Sequence, residues 1–149
     1  MRDERREFNS SLRKVAVPVL KELGFAFDRS RTFSRLGPDG AVWEVQFQLG
    51  VRSMQGQFTV NLRLHQPNER ELSARIGGVH KTRWTRLLAK VFKDEGSLWR
   101  TLLGPRDKWW CISAAPDEMQ GALAEATAWL RADAIDWFQA NTNASKDET

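Results

Sequence analysis

The sequence predicts an α+β fold: an antiparallel β-sheet of about five strands packed between N- and C-terminal helices, with a central helix over the other face or edge. Two consecutive segments alternate apolar and polar residues, as half-buried antiparallel strands do. Segments at both ends and in the middle carry apolar residues at helical spacing instead. The 149-residue chain has the length of one domain. We expect this domain to span residues 1–141, followed by a disordered polar tail at 142–149.

The N-terminal segment predicts an amphipathic helix over about residues 3–23. Phe8 and Leu12 belong to an apolar stripe that recurs every three or four residues. Pro18 lies inside this pattern, where its missing N–H removes a backbone hydrogen bond, so we expect a kink there. Gly24 should end the helix, because glycine readily adopts the left-handed backbone found at helix C-termini.

Two short strands, Phe25–Asp28 and Arg31–Leu36, are expected after this helix. The segment GPDG then predicts a hairpin turn. Pro38 fixes φ at a value that suits the turn, and Gly40 accepts a positive φ. A third strand should therefore pair antiparallel with the second.

The third and fourth strands alternate most clearly. Their apolar residues share one face: Trp43, Val45, Phe47 and Leu49 in the third, and Phe58, Val60, Leu62 and Leu64 in the fourth. The other face carries Val42, Glu44, Gln46 and Gln48 beside Thr59, Asn61, Arg63 and His65. Because side chains alternate between faces along a strand, the first set should enter the core and the second should face away from it.

A helical period returns over residues 82–95. An apolar stripe of this central helix contains Trp84, Leu87, Leu88, Val91 and Phe92. A basic stripe on another side contains Arg83, Arg86, Lys90 and Lys93. The preceding segment RIGGVHK is interpreted as a turn because of its two glycines.

The segment DKWWCI predicts one more strand. In a strand, Trp109 and Trp110 must point to opposite faces, so we expect one ring in the core and the other in a groove beside the polar face. A last helix should run from Pro116 to about Gln139, with proline in its first turn. Together with the sheet and the first helix it should bury a core that includes Leu12, Trp43, Phe47, Phe58, Leu62 and Leu123.

The order of these elements carries a family resemblance. The segments LKELGF, RTFSR, VWEVQFQ, QFTVNLRL and DKWWCI make the chain similar, over about residues 8–130, to the bacterial domain-of-unknown-function family 4304. The resemblance implies an α+β fold with an antiparallel sheet flanked by helices. It implies no established reaction, cofactor or catalytic residue.

Composition and charge argue against several classes of protein. The proportions of hydrophobic and charged residues, 41% and 28%, are typical of soluble globular domains. A single cysteine excludes a disulfide within the chain. The charged N-terminus does not resemble a secretory signal, and no apolar run reaches membrane-spanning length. We therefore expect a cytoplasmic protein without a membrane partner.

Few residues are available for catalysis or metal binding. Cys111 with His65 or His80 would supply a thiol–imidazole dyad, but a free cysteine in a strand is usually a small buried side chain. His65, His80 and Glu69 would have to converge across loops to bind a metal. Phosphate-loop, dinucleotide and serine-hydrolase motifs are absent from the sequence. We expect no catalytic residue, no metal and no cofactor.

The polar face of the sheet is the strongest candidate for a site. A tryptophan beside amides and an arginine is typical of recognition surfaces, where aromatic and arginine side chains dominate binding. The candidate ligand- or partner-binding residues are Gln46, Gln48, Asn61, Arg63, His65 and Trp110. The alternative is that the central helix packs over this face and buries the tryptophan.

These observations favour a small non-enzymatic binding module that docks a protein partner or small ligand in a groove beside the polar face. Toxin-neutralising immunity proteins are one example of such small bacterial modules. A nucleic-acid-binding domain that uses Arg83, Arg86, Lys90 and Lys93 is the first alternative. An enzyme that uses Cys111 or His65 is the second. We expect a monomer or weak dimer.

Overall fold

The computed structural model describes residues 2–67, 71–91 and 107–147, with the side chains of residues 2–3, 85–86, 88–91 and 143–147 outside the description. The helices are α1 Arg2–Ser11, α2 Val17–Glu22, α3 Ile76–Val91, α4 Pro116–Trp129 and α5 Ile135–Asp147. The strands are β1 Ala26–Phe27, β2 Thr32–Leu36, β3 Val42–Leu49, β4 Gln57–His65, β5 Glu71–Arg75 and β6 Trp110–Cys111.

The strands form one antiparallel sheet in the order β1–β2–β3–β4–β5. Strand β4 has β3 along one edge, and β5 and β6 share its other edge. Strand β5 pairs with residues 61–65 of β4, whereas β6 pairs with Gln57 and Phe58 at its beginning. The predicted α+β class and antiparallel sheet are confirmed. Strand β5 was not expected, because the loop predicted from the segment QPNERE runs into its first residue, Glu71.

The register of β3 on β4 confirms the predicted two faces. Trp43 pairs with Leu64 and Val45 with Leu62, so the apolar residues of both strands meet on one side. All six residues expected in the core, which are Leu12, Trp43, Phe47, Phe58, Leu62 and Leu123, are buried. Gly37 lies so close to the Trp43 indole that a Cβ at this position would collide with it.

Both terminal helices lie on the apolar face and do not enclose the sheet from two sides. The ring of Phe8 from α1 lies 5.1 Å from that of Phe58. Phe138 of α5 stacks on Trp43 at 5.0 Å, with the rings almost parallel. Only one face of the sheet is apolar, so burying the apolar stripes of both helices brings them to the same side.

The helix at the N-terminus is interrupted where the sequence predicts a kink. A π-helical turn, Leu12–Ala16, separates α1 from α2, and Pro18 falls in the first turn of α2. Proline has no N–H to donate, so the helix lacks one backbone hydrogen bond at Pro18. The π-helical turn just before it has a wider hydrogen-bond spacing, so the helix changes its pattern at the same place. Gly24 has φ +91°, and Phe25 N donates to Leu20 O at 2.8 Å, which closes the helix as expected.

The central helix α3 begins at Ile76, six residues earlier than expected, so the interpretation of RIGGVHK as a turn is wrong. Gly77 lies within this helix, where the backbone of Lys108 approaches closely. A small residue is needed for this approach, and that requirement outweighs the low helix propensity of glycine. The expected helix segment at 92–95 lies outside the described residues.

Helix α3 lies at the edge of the sheet, on the side of the other helices. Ile76 at its beginning is buried in the core, and His80 stacks on Trp129 of α4 at 3.9 Å. Of the two positions allowed by the prediction, the described part of the helix does not take the one over the polar face, whose side chains, such as Gln46, Asn61 and Arg63, are half-buried. Trp84 and Leu87 are 51% and 45% exposed, so the expectation that they belong to a buried stripe is wrong.

The last helix extends past the expected end of the domain. A π-helical turn, Leu130–Ala134, joins α4 to α5, and α5 continues to Asp147. Thr142 is buried and donates its hydroxyl hydrogen bond to Phe138 O at 2.7 Å. The helix therefore runs past the end expected near Gln139, because small polar residues such as Thr142 satisfy their own hydrogen bonds within the helix.

Candidate functional site

The register of β3 on β4 brings five of the six predicted site residues together on the polar face. Gln46 is directly opposite Asn61, and Gln48 lies one position along the same face. Arg63 and His65 follow Asn61 on β4. Glu44, which is opposite Arg63, and Arg75, which pairs with Asn61 from β5, complete the surface. We call this set, with Trp109 and Asp107, the polar sheet face.

Asn61 is at the centre of the hydrogen bonds on this face. Its amide nitrogen donates to Gln48 Oε1 at 2.6 Å and more weakly to Gln46 Oε1 at 3.4 Å. Its own oxygen accepts a hydrogen bond from Arg75 Nε at 3.3 Å. These bonds cross three strands, so the amides are held in defined positions before any ligand arrives.

A charged group lies at the end of the face where β4 ends. Glu44 Oε2 lies 3.2 Å from His65 Nε2, and Glu44 Oε1 lies 3.5 Å from Arg63 Nη1. Glu71 of β5 lies on the other side of the His65 ring, at 3.8 Å from Nδ1. Glu44 thus contacts both Arg63 and His65, and Glu71 contacts His65. The Arg63 side chain is 40% exposed.

The opposite end of the face carries an aromatic ring, but it is not the predicted one. Trp110 pairs with Phe58, is only 5% exposed and stacks on the Phe58 ring within the core. The assignment of Trp110 to the binding surface is therefore wrong. Strand alternation places Trp109 on the polar side, with the Arg75 guanidinium 5.4 Å from the centre of its ring.

The segment that carries Trp109 is fixed to the sheet by polar contacts. Arg75 donates to Asp107 at 2.5 Å, and the buried hydroxyl of Thr59 donates to Lys108 O at 2.7 Å. Sequence reasoning missed Arg75 and Asp107 because β5 was not recognised as a strand. The one available signal was the alternation of Glu71, Ser73 and Arg75, which continues the polar face once β5 is paired.

A second polar cluster joins α3 to the C-terminal helix. Asp133 is 1% exposed and lies 2.5 Å from His80 Nδ1 and 2.9 Å from Arg83. The hydrogen bond and charge of Asp133 raise the pKa of Arg83 above its ordinary value. Arg83 also donates to Ala132 O. The buried carboxylate thus has hydrogen-bond partners in His80 and Arg83, and the cluster connects α3 to the C-terminal helix. No spacing in the sequence links positions 80 and 133.

The structure does not bring Cys111 close to His65 or His80, so they form no thiol–imidazole dyad. Cys111 is exposed and pairs with Gln57 at the beginning of β4, whereas His65 is eight residues further along that strand. At the rise of a β-strand, this separates the two by about 26 Å. His80 lies among the helices against Trp129, and so on the other side of the sheet from Cys111.

A metal site from His65, His80 and Glu69 does not form either. His65 is on the polar sheet face and His80 is in the helix layer, and Glu69 lies outside the described residues. Within residues 2–67, 71–91 and 107–147, no group of three histidine, cysteine or acidic side chains has the geometry to hold a metal ion.

The predicted basic stripe is only partly described. Arg83 is engaged with Asp133, which reduces its value as a phosphate ligand. The side chains of Arg86 and Lys90 lie outside the described residues, and so does Lys93. The described part of the chain therefore adds no support for a nucleic-acid interface on this helix.

Comparisons with family models, curated proteins and solved structures found no match to this chain. The resemblance to domain-of-unknown-function family 4304 stays a prediction. In the described part of the chain, no helix combines the length and apolar character needed to span a membrane.

Proposed function

We propose that the protein is a non-enzymatic binding module that docks a protein partner on the polar sheet face. One observation carries this proposal. The polar side chains of three adjacent strands are cross-linked by hydrogen bonds on a face that no described helix covers. Solubility requires only that polar side chains contact water. It does not require hydrogen bonds that hold the amides of Gln48 and Asn61 in fixed positions.

The preformed network supports recognition because it lowers the entropy lost on binding. Gln48, Asn61 and Arg75 are already restrained by one another, so a partner has little side-chain freedom to remove. Trp109 adds a large, rigid aromatic surface at the edge of this network, and tryptophan and arginine are the residues most often dominant in interfaces.

A protein partner fits the shape of this surface better than a small molecule. The polar sheet face spans β3, β4 and β5, and Ser34 of β2 extends the same side of the sheet, so that at normal strand spacing this side is about 15 Å wide. Small-molecule sites are usually concave and enclose most of the ligand. A broad sheet face with its aromatic residue at the edge instead suits contact with another protein surface.

Site-specific photo-crosslinking in the cells that make the protein tests this proposal. A photoreactive amino acid is placed at Ser34 or Ser73, two exposed positions that flank the network on the polar face. The control position is Glu125, which is exposed on α4 in the helix layer. We expect one defined protein adduct from positions 34 and 73 and none from 125. Adducts only from 125, or equally from all positions, would contradict the proposal.

A further inference from the structure

The orientation of the amides on the polar sheet face is fixed by two arginines. Arginine has only hydrogen-bond donors, so the Asn61 atom that faces Arg75 Nε must be the oxygen. The Asn61 nitrogen then faces both glutamines, which must turn their oxygens toward it. Arg63 donates to the same oxygen of Gln46 at 3.5 Å, which requires the same orientation from the other side.

This orientation leaves the centre of the face with an excess of donors. The Gln46 and Gln48 oxygens are occupied by Asn61, so each glutamine keeps a free NH₂ group. No described residue accepts a hydrogen bond from these two groups. A ligand with acceptor oxygens can bind both free NH₂ groups, whereas a ligand donor would have to share amide oxygens that already accept a hydrogen bond.

Arg63 is the least satisfied cation of the face. Its contacts with Glu44 and Gln46 are both 3.5 Å long, whereas Arg75 makes a contact of 2.5 Å with Asp107. A carboxylate can accept two parallel hydrogen bonds from one guanidinium, which a neutral carbonyl cannot do. We propose that the partner presents an aspartate or glutamate side chain that docks on Arg63 and Gln46.

This inference rests on the proposed function and names the chemistry of the partner segment. The docked carboxylate would replace two long contacts of Arg63 with a bidentate pair, and Glu44 would keep its contact with His65 at 3.2 Å. The two arginines of the face lie among three carboxylates, Glu44, Glu71 and Asp107, so the net charge of this region does not attract an acidic partner over long range. Recognition of the carboxylate then depends on the geometry of its hydrogen bonds with Arg63 and Gln46, and we expect the affinity to change little with salt concentration.

The test uses a short acidic peptide, acetyl-Gly-Asp-Glu-Asp-Gly-amide, and the matched neutral peptide in which Asn and Gln replace Asp and Glu. Nuclear magnetic resonance follows the side-chain NH₂ signals of Gln46, Gln48 and Asn61 in the folded full chain. We expect saturable shifts of the Gln46 signal and of Arg63 Nε–H with the acidic peptide. The neutral peptide should bind at least about tenfold more weakly.

Substitutions at Arg63 distinguish the effect of its two parallel hydrogen-bond donors from the effect of its positive charge. Arg63→Gln should abolish the shifts. Arg63→Lys, which keeps the charge but not the two parallel donors, should weaken binding about fivefold or more. Arg13→Gln, at an exposed position on the helix side, should leave binding unchanged. The backbone spectrum of each variant shows whether it is folded.

Equal binding of the two peptides, or shifts confined to arginines of α1, would overturn the inference. The crosslinking result shows which proposal has failed. If the acidic peptide leaves the face unshifted while a partner still crosslinks at positions 34 and 73, the carboxylate inference is wrong and the proposed function stands. If the peptide binds as expected but no partner crosslinks, the carboxylate preference is right and the proposed function is wrong.

Discussion

Trp109 and Trp110 are neighbours in the chain and lie on opposite faces of the sheet. Trp110 stacks on Phe58 at 5.5 Å and meets Trp129 edge-on, inside the core. Trp109 lies against the Arg75 guanidinium on the polar sheet face. Two adjacent and chemically identical side chains therefore have different roles, which substitution can separate.

Replacing each tryptophan with alanine should affect different properties. Trp110→Ala should lower the free energy of unfolding by about 3–5 kcal/mol, as removal of large core aromatics does. Trp109→Ala should lower it by about 1 kcal/mol, because its half-buried ring lies outside the core and against the Arg75 guanidinium. Urea unfolding of both variants measures the difference. Similar losses for the two would mean that Trp109 is also part of the core.

Gly77 and Gly121 both lie in helices and should respond oppositely to alanine. In an exposed helix interior, glycine to alanine stabilises by about 1 kcal/mol. Gly121→Ala should show this gain, because a Cβ there meets no atom within 4 Å. Gly77→Ala should destabilise, because its Cβ would collide with the backbone nitrogen of Lys108.

Thermal unfolding of these two glycine variants and the wild type gives the comparison directly. A rise in Tm for Gly77→Ala as large as that for Gly121→Ala would show that the chain around Lys108 does not lie against α3. The contact between Gly77 and Lys108 could then not fix the position of the neighbouring Trp109.

Asp28 should make a small contribution to stability that depends on pH. Slight burial works to raise the pKa of Asp28, but hydrogen bonds from Ser30 and Thr32 outweigh it and hold the pKa below 3.8. A carboxyl whose pKa is lower in the folded state stabilises above its unfolded pKa, and this stability is lost as pH falls through the folded pKa.

The matched variant Asp28→Asn keeps an acceptor oxygen but does not titrate. Its Tm should lie below that of the wild type at about pH 6, and the difference should shrink as pH falls to about 3. Arg29 and Arg31, which have positive φ in this turn, should become less ordered in the variant. A Tm difference that is constant from pH 6 to pH 3 would show that the Asp28 carboxylate does not stabilise the turn.

Phe47 tests the register of the sheet as a whole. It is buried between Phe33 and Phe58, so Phe47→Ala should cost about 3–5 kcal/mol in the free energy of unfolding. Leu36 is 76% exposed, and Leu36→Ala is the control that should change stability by less than about 0.5 kcal/mol. An unchanged Tm for Phe47→Ala would place this strand one residue out of register.

The sequence was most informative where one face of an element is apolar and the other polar. Alternation in β3 and β4 predicted both faces of the sheet, because a shift by one residue would reverse every side chain. Strand β5 escaped prediction because it lies at the edge and is short, and its alternating apolar positions are only Leu72, which is 38% exposed, and the small Ala74. The early start of α3 also escaped, since two glycines are normally signs of a turn.

The site was predicted in part for the same reason. Gln46, Gln48, Asn61, Arg63 and His65 follow from the alternation of two strands. The choice between Trp109 and Trp110 does not, because it depends on how two residues of β6 pair with β4. The pairs Arg75–Asp107 and His80–Asp133 join residues 32 and 53 positions apart, and no local pattern encodes such contacts.

The affinity of the chain for the partner recovered by crosslinking shows directly whether that partner docks on the polar sheet face. Isothermal titration with that purified partner compares the wild type with Trp109→Ala, Asn61→Ala and the helix-face control Glu125→Ala. If the partner docks on the polar sheet face, we expect Kd to rise at least about tenfold for the first two variants, as for dominant interface residues, and to stay unchanged for Glu125→Ala. Unchanged affinity in Trp109→Ala and Asn61→Ala, with both variants folded, would show that the partner does not dock on the polar sheet face.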